Sequence, residues 1–572
     1  MLQISTGKFY DKSKGLHEKE SYGILYSKCQ FNKQITTKYF SLTPRKIEKD
    51  IYAYDLKFIN RMEKGGILVK VGDFEYVDQV KLVLTISFNS YFSTNIEEFK
   101  RITLMQDGRS DNMNRYPCFY AKKFLSSKII NEEDINKLNN ILDNLIKLKR
   151  DDYKTIISAA KAFHASFKLL EDDYSLAYSV LVMGLETLAT SFDDYESVWE
   201  NHDQNEREKL DKVFRDMKEE HVQKIKDILI ANDFQKLGYR FKQFVLKNIT
   251  EDYYLLSASQ IRNPIQQEDL GSALQNAYSI RSKYAHQLKQ VIKNLKETSD
   301  ADCIRIFKKI YLTYNGLIRL FINLLQNIII TLEHVDSEDY DWQKDLPGMM
   351  DIELQPSMWV TKCVRLNDKN IIKWSNTIIT EMYEKMCDDS FYDIRAVLKN
   401  LISNFSNKTK ENKRAILCVY YLYNNIMNKE YRLENYEKFI KNNKFLLEEP
   451  CLETLIILSF LNIENINLKK YNCNTIEDII IDYQKKKNKE DKHGQIKGYQ
   501  LPKLLEARIY LHLIYMYCQS NNQEKVNEWG KILAYNLTGY YEIQKETIIQ
   551  LKSNNLDVYK LLKMIKKHHE VK

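Results

Sequence analysis

Tyr278-Ser279-Ile280-Arg281-Ser282-Lys283-Tyr284-Ala285-His286 decides how the rest of this chain is read. Leu274, Ala277, Tyr278 and Ile280 precede Arg281, and Tyr284, Ala285 and Leu288 follow it. That spacing predicts a helix with an apolar face against a bundle. Within it an arginine and a histidine stand five positions apart. A guanidinium is cationic at any relevant pH, while an imidazole changes protonation near neutrality. Such a pair suits phosphodiester chemistry without a metal: the imidazole moves a proton and the guanidinium holds and neutralises a phosphate. Five steps along an ideal helix turn about 140° beyond one full turn, so the two side chains do not share a stripe. Either the long arginine reaches round, or a second copy completes the site. A twofold dimer with two Arg281/His286 pairs around one cleft is the simpler geometry. Spacing alone is weak evidence, because 18 arginines and 10 histidines place a histidine four to six residues after an arginine about once by chance in a chain this long. Arg215 and His221 repeat it among alternating charges with no apolar face, and read as surface.

Outward from this stretch, helical periodicity dominates. Ile135, Leu138, Ile141, Leu142, Leu145, Ile146 and Leu148 fall on one face, with Glu132, Glu133 and Asp134 in the favourable first turn. Tyr153 to about Phe192 predicts a longer helical stretch broken near Glu171-Asp172-Asp173, and its second half is apolar on most sides. Asp203 to Leu229 predicts one charged, solvated helix. Leu237 to Leu246 and Leu274 to about Lys296 predict two more, separated by a turn at Asn263-Pro264. Asp302 to Leu332 closes the bundle. Its apolar run from Leu317 is interrupted by Arg319, Asn323, Gln326 and Asn327, which marks a buried helix and not a membrane span.

Residues 1–125 read differently, as an antiparallel β-rich module with one face covered. Gly23–Ser27, Lys38–Leu42, Ile67–Val71 and Val80–Phe88 are the predicted strands, with Gly65-Gly66 and Gly72-Asp73 as turns. Tyr52, Tyr54, Phe58, Phe74, Tyr76, Phe88 and Tyr91 can line a recognition surface, although such residues more often form core. A break at 334–356 follows the bundle. Residues 357–572 then carry repeated helical patterns: Ile371–Met386, Ile394–Ile402, Ala415–Met427, Leu452–Leu461, Leu504–Cys518 and Val526–Tyr535. They predict a helical, repeat-like array without a regular repeat signature. Tyr483 to Lys497, with Lys485, Lys486, Lys487 and Lys489, reads as an exposed loop. The fold class is therefore mainly α, in three parts: 1–125, 126–335 and 357–572.

The totals exclude several classes. A net charge of +8 from 86 basic and 78 acidic side chains permits a polyanionic partner without demanding one. Nine scattered cysteines with no Cys-x-x-Cys pair argue against a disulfide framework or a structural zinc site and for a reducing, cytoplasmic setting. The start of the sequence lacks a basic segment followed by an apolar core, so no secretory signal is expected. No Walker-type phosphate loop, His-Glu-x-x-His or Gly-x-Ser-x-Gly occurs, and no cofactor, metal or membrane partner is expected.

Tyr278–His286 resembles the arginine–histidine signature of the HEPN superfamily, in its Apea-like branch. Val182-Met183-Gly184-Leu185-Glu186-Thr187-Leu188 is similar to that branch's early helix with a glutamate. Leu237-Gly238-Tyr239-Arg240-Phe241 is similar to its middle helix with an arginine. The resemblance spans about 155–330, and Gln287 stands where the family commonly has glycine. It implies a metal-independent endoribonuclease of the toxin or anti-phage, abortive-infection kind, acting on RNA such as tRNA as a homodimer. It further implies that the 2′-hydroxyl attacks the adjacent phosphate, with His286 as general acid or base and Arg281 stabilising the developing charge. Glu186 would orient Arg281, Ser282 and Tyr284 would line the cleft, and Arg240 and Lys283 would contact phosphate. Two other readings stay open: a non-enzymatic scaffold whose bundle only dimerises, and a regulator that binds a protein partner through its terminal regions.

Overall fold

The computed structural model describes the chain except residues 32, 49, 65–71, 104–116, 194–198, 200–203, 232–236, 260, 299, 347–353, 363–365, 367, 369, 386–390, 462–465, 491–497 and 571–572. The chain is mainly helical, with an N-terminal five-stranded antiparallel sheet. Two compact units, Met1–Met350 and Asp351–Lys572, each enclose a hydrophobic core.

In the first unit β1 (Leu16–Ser27), β2 (Phe40–Glu48) and β3 (Ile51–Glu63) make the body of the sheet. β1 lies beside β3 and β3 beside β2, while Ile35–Thr36 and Phe92–Ser93 add short edges. Tyr54, Leu56, Phe58, Asn60 and Met62 turn inward along β3 and alternate with Asp55, Lys57, Ile59 and Arg61 outward, the period-two pattern of a half-covered sheet. The predicted strand at Ile67–Val71 lies outside the described residues.

The predicted strand Val80–Phe88 is instead part of a helix, α1 (Asp73–Phe88). Every residue from Gln79 to Phe88 is buried, because α1 lies on β1 and also packs against α2 (Glu132–Lys147) and α3 (Arg150–Leu169). The stretch alternates like a strand, with Lys81, Thr85 and Ser87 between apolar neighbours. These polar side chains are nevertheless buried in the helix, Lys81 paired with Asp78 and Thr85 donating to the Lys81 carbonyl at 2.8 Å. Gly23 allows the close approach, since a Cβ there would lie 2.6 Å from Val77 Cγ2. Of the seven aromatics considered for recognition, Tyr54, Phe58, Tyr76, Phe88 and Tyr91 are core and Phe74 is exposed.

The bundle continues with α2, which carries a capping box between Asn131 and Asp134, then α3, then α4 (Tyr174–Phe192). Among the described residues α4 is the one helix long and apolar enough to cross a bilayer, yet Ala177, Tyr178, Leu181, Val182 and Leu185 bury it in the protein core. The segment predicted as one helix over 203–229 is two, α5 (Gln204–Phe214) and α6 (Glu219–Ala231). α7 (Leu237–Asn248) and α8 (Gln267–Gln287) follow. α8 stops short of the predicted Lys296 because Leu288 reverses the chain at φ 51°. Residues 302–312, predicted as helix, form a hairpin of β4 (Cys303–Ile306) and β5 (Lys309–Leu312) before α9 (Tyr314–Thr331). Its turn, Phe307-Lys308, contains none of the usual turn residues, which is why periodicity ran through it.

A buried clamp fixes the base of this hairpin. Arg319 on α9 gives Nε to Asp302 Oδ1 at 3.1 Å and Nη1 to the Tyr253 carbonyl at 2.7 Å, and it lies 3.6 Å over the Tyr253 ring. Gly316 is needed beside it, because a Cβ would sit 2.1 Å from the Asp302 carbonyl oxygen. One continuous core then runs from the sheet through α1 to α9.

The second unit is helical throughout its described elements: α10 (Ile371–Glu384), α11 (Arg395–Ser403), α12 (Lys410–Ile426), α13 (Leu452–Phe460), α14 (Cys473–Lys486), α15 (Lys503–Gln519), α16 (Gln523–Asn536), α17 (Tyr541–Lys552) and α18 (Val558–Glu570), with shorter pieces between. Tyr483–Lys486, predicted as loop, ends α14. The Tyr483 hydroxyl and Lys487 both reach the buried Glu506, and the expected loop residues 491–497 lie outside the described residues.

Candidate functional site

Leu270, Ala273, Leu274 and Ala277 seat α8 in the core, against α4 and α7. At this seam Gly238 of α7 meets the Tyr278 ring, where a Cβ would lie 2.9 Å from Cδ1. One turn further on, Arg281 turns toward α4. Its Nη2 is 2.7 Å from Glu186 Oε2, with the side chains 23% and 14% exposed. The guanidinium carbon also lies 5.9 Å from the Tyr278 ring centre. The pairing is incomplete: Arg281 Nε and Glu186 Oε1 are both buried and make no hydrogen bond. Burial pushes the Glu186 carboxyl above its ordinary range, and the adjacent guanidinium opposes that shift without cancelling it.

His286 stands on the last turn of α8 and is exposed, as are Lys283 and Gln287, while Ser282 is half-buried. Arg281 and His286 thus share one helix, about 7.5 Å apart along its axis. The Tyr284 hydroxyl donates to Asp173 Oδ2 at 2.7 Å, and this bond raises the phenol's pKa while lowering that of the carboxyl. Asp173 also caps α4 by accepting from the Ser175 and Leu176 amides. Ser175 Oγ in turn donates to Gln290 Oε1 at 2.6 Å and accepts from the Val291 amide at 3.0 Å. The end of α8 is therefore tied to α4 at two places, through Glu186 and through Asp173.

Of the residues singled out from sequence, Glu186 and Arg281 are brought together, and His286 lies on the exposed end of the same helix. Tyr284 is committed to Asp173. Arg240 Nε is 2.9 Å from Asp193 Oδ2, at the C-terminal end of α4, so its charge is already matched. Where the family commonly has glycine, Gln287 remains helical and Leu288 takes the left-handed turn. Asp173 was not singled out, although Asp-Tyr-Ser before an apolar run is a helix-start signal. Arg508 and His512 on α15 stand closer still, four positions apart. The Arg508 charge opposes the rise that burial gives the Tyr383 phenol, and burial lowers the His512 pKa. Arg215 and His221 are both exposed, as expected. Among the described residues no group of three His, Cys, Asp or Glu gathers as metal ligands.

No family model, curated protein or solved structure matches this chain.

Proposed function

We propose that the first unit is a metal-independent endoribonuclease of the HEPN kind, with His286 and Arg281 at its centre. The observation that supports this most is the contrast between the two side chains. Arg281 is braced by Glu186 with one donor left unpaired, and His286 stands free in solvent on the same helix. In the reaction, one imidazole accepts the 2′-hydroxyl proton as that oxygen attacks phosphorus. Arg281 neutralises the extra charge on the non-bridging oxygens, and the departing 5′-oxygen takes a proton from a second imidazole or from water. The products are a 2′,3′-cyclic phosphate and a 5′-hydroxyl, and DNA is spared because it lacks the nucleophile. A homodimer would supply the second imidazole. Lys283, exposed one turn before Gln287, is the reading's phosphate contact. A role in anti-phage defence, in the cytoplasm, accompanies it.

One observation favours the scaffold alternative. Glu186 already satisfies part of the Arg281 charge, as a purely structural ion pair would. The experiment is incubation of the purified chain with tRNA and total RNA in EDTA, beside His286→Ala and Arg281→Ala. Cleavage leaving cyclic phosphate ends, lost in both variants, is expected. Cleavage that survives His286→Ala refutes the assignment.

A further inference from the structure

The hairpin β4–β5 breaks two rules at one place. Its turn residues, Phe307 and Lys308, have φ of 48° and 68°. A two-residue turn with both φ positive favours Asn-Gly, and a bulky side chain there is a conformational outlier. Phe307 is also 95% exposed, the highest value among the exposed large hydrophobic residues described. Hydrophobic burial and backbone preference therefore both argue against phenylalanine here, and such local conflicts concentrate at functional positions.

The tip is held firmly. Four residue pairs zip the strands, from Cys303 with Leu312 to Ile306 with Lys309. Asn276 on α8 donates to the Ile310 carbonyl at 2.7 Å, Asn263 donates to the Cys303 carbonyl at 2.6 Å, and Arg305 pairs with Asp269 at 2.6 Å. Ile306 and Ile310 point into the core. From 303 to 312 the sequence has three basic residues and no acidic one, and Lys308 and Lys309 are exposed. A rigidly mounted bare aromatic flanked by cations matches the combination that grips single-stranded nucleic acid, with a ring for a base and ammonium groups for phosphates.

We propose that Phe307-Lys308-Lys309 is a single-stranded RNA contact, with Phe307 stacking on a base and the two lysines neutralising neighbouring phosphates. The choice of RNA rests on the ribonuclease reading above. The test uses the full chain carrying His286→Ala, so that the probe, a fluorescein-labelled oligouridine 12-mer, stays intact. Adding Phe307→Asn with Lys308→Gly restores preferred turn chemistry, so the variant should melt no lower than its parent. Its RNA dissociation constant should nevertheless rise at least roughly tenfold, the loss of one stacked base together with one phosphate contact. Phe307→Trp should retain tight binding. Unchanged affinity in the Asn-Gly variant overturns the proposal, as does a parent that does not bind the probe. So does a variant that loses only self-association, or only flotation with phosphatidylserine vesicles. Cleavage is scored separately on the chain with His286 intact: binding through Phe307 without cleavage keeps the contact and removes the nuclease.

Discussion

Replacing Glu186 with glutamine tests whether α4 braces Arg281. The substitution keeps the shape and removes the charge that lies 2.7 Å from the guanidinium. Arg281 Nε already lacks a partner, so the variant leaves a partly buried cation with little compensation. Removing one member of a fully buried pair costs about 3–5 kcal/mol. Here the side chains are 23% and 14% exposed, and water reaches both, which lowers the expectation to roughly 2 kcal/mol. The raised carboxyl pKa of Glu186 acts in the same direction, since burial already opposes its ionised form. The assay is a double-mutant cycle of Glu186→Gln and Arg281→Met, read by hydrogen exchange of amides in α4 and α8. This local readout avoids averaging over the second unit. The double variant should recover most of the loss, giving a coupling above about 1 kcal/mol. Coupling below about 0.5 kcal/mol, within ordinary additivity error, would show that the contact orients nothing.

Two further outcomes follow from the interior. Gly316→Ala drives a Cβ into the Asp302 backbone, which cannot swing away as a side chain can, so it should cost more than about 3 kcal/mol and loosen the Arg319 clamp in a thermal melt. His164 is buried, gives Nε2–H to the Phe92 carbonyl at 2.7 Å and stacks on Tyr91. Burial, with Lys81 and Lys168 against and Glu98 in favour of protonation, lowers its pKa from 6.5 to about 4. The unfolded chain therefore binds more protons, so this contribution is complete above pH 6.5 and is lost as pH falls toward 4. The loss amounts to roughly 3 kcal/mol. In urea titrations at pH 7 and pH 4.5, His164→Phe should show a smaller difference than the parent.

Legibility in the sequence followed exposure. α2, α3 and α4 have polar faces or polar ends, and their spans were readable from Ile135, Asp173 and their neighbours. Between Gln79 and Phe88 the polar Lys81, Thr85 and Ser87 alternate with apolar residues, a strand-like pattern that the helix buries on every side. The β4–β5 hairpin was hidden for the opposite reason, since Phe307-Lys308 makes a turn with residues that do not announce one. At the site, the Glu186–Arg281 contact was anticipated from the resemblance of both segments to one family. The Asp173–Tyr284 tie was not, because it joins residues 111 positions apart and no local pattern encodes it.

The position of α1 also bears on synthesis. Its buried side chains are covered partly by α9, and the Ile86 carbonyl receives its hydrogen bond from Gln326, 240 residues later. At ordinary ribosomal speeds that interval is roughly 10–50 s. β1, β2 and β3 can pair as soon as they emerge, but the nascent chain must carry an apolar helix without its lid until most of the first unit has been made. This is the window in which a chaperone would be needed.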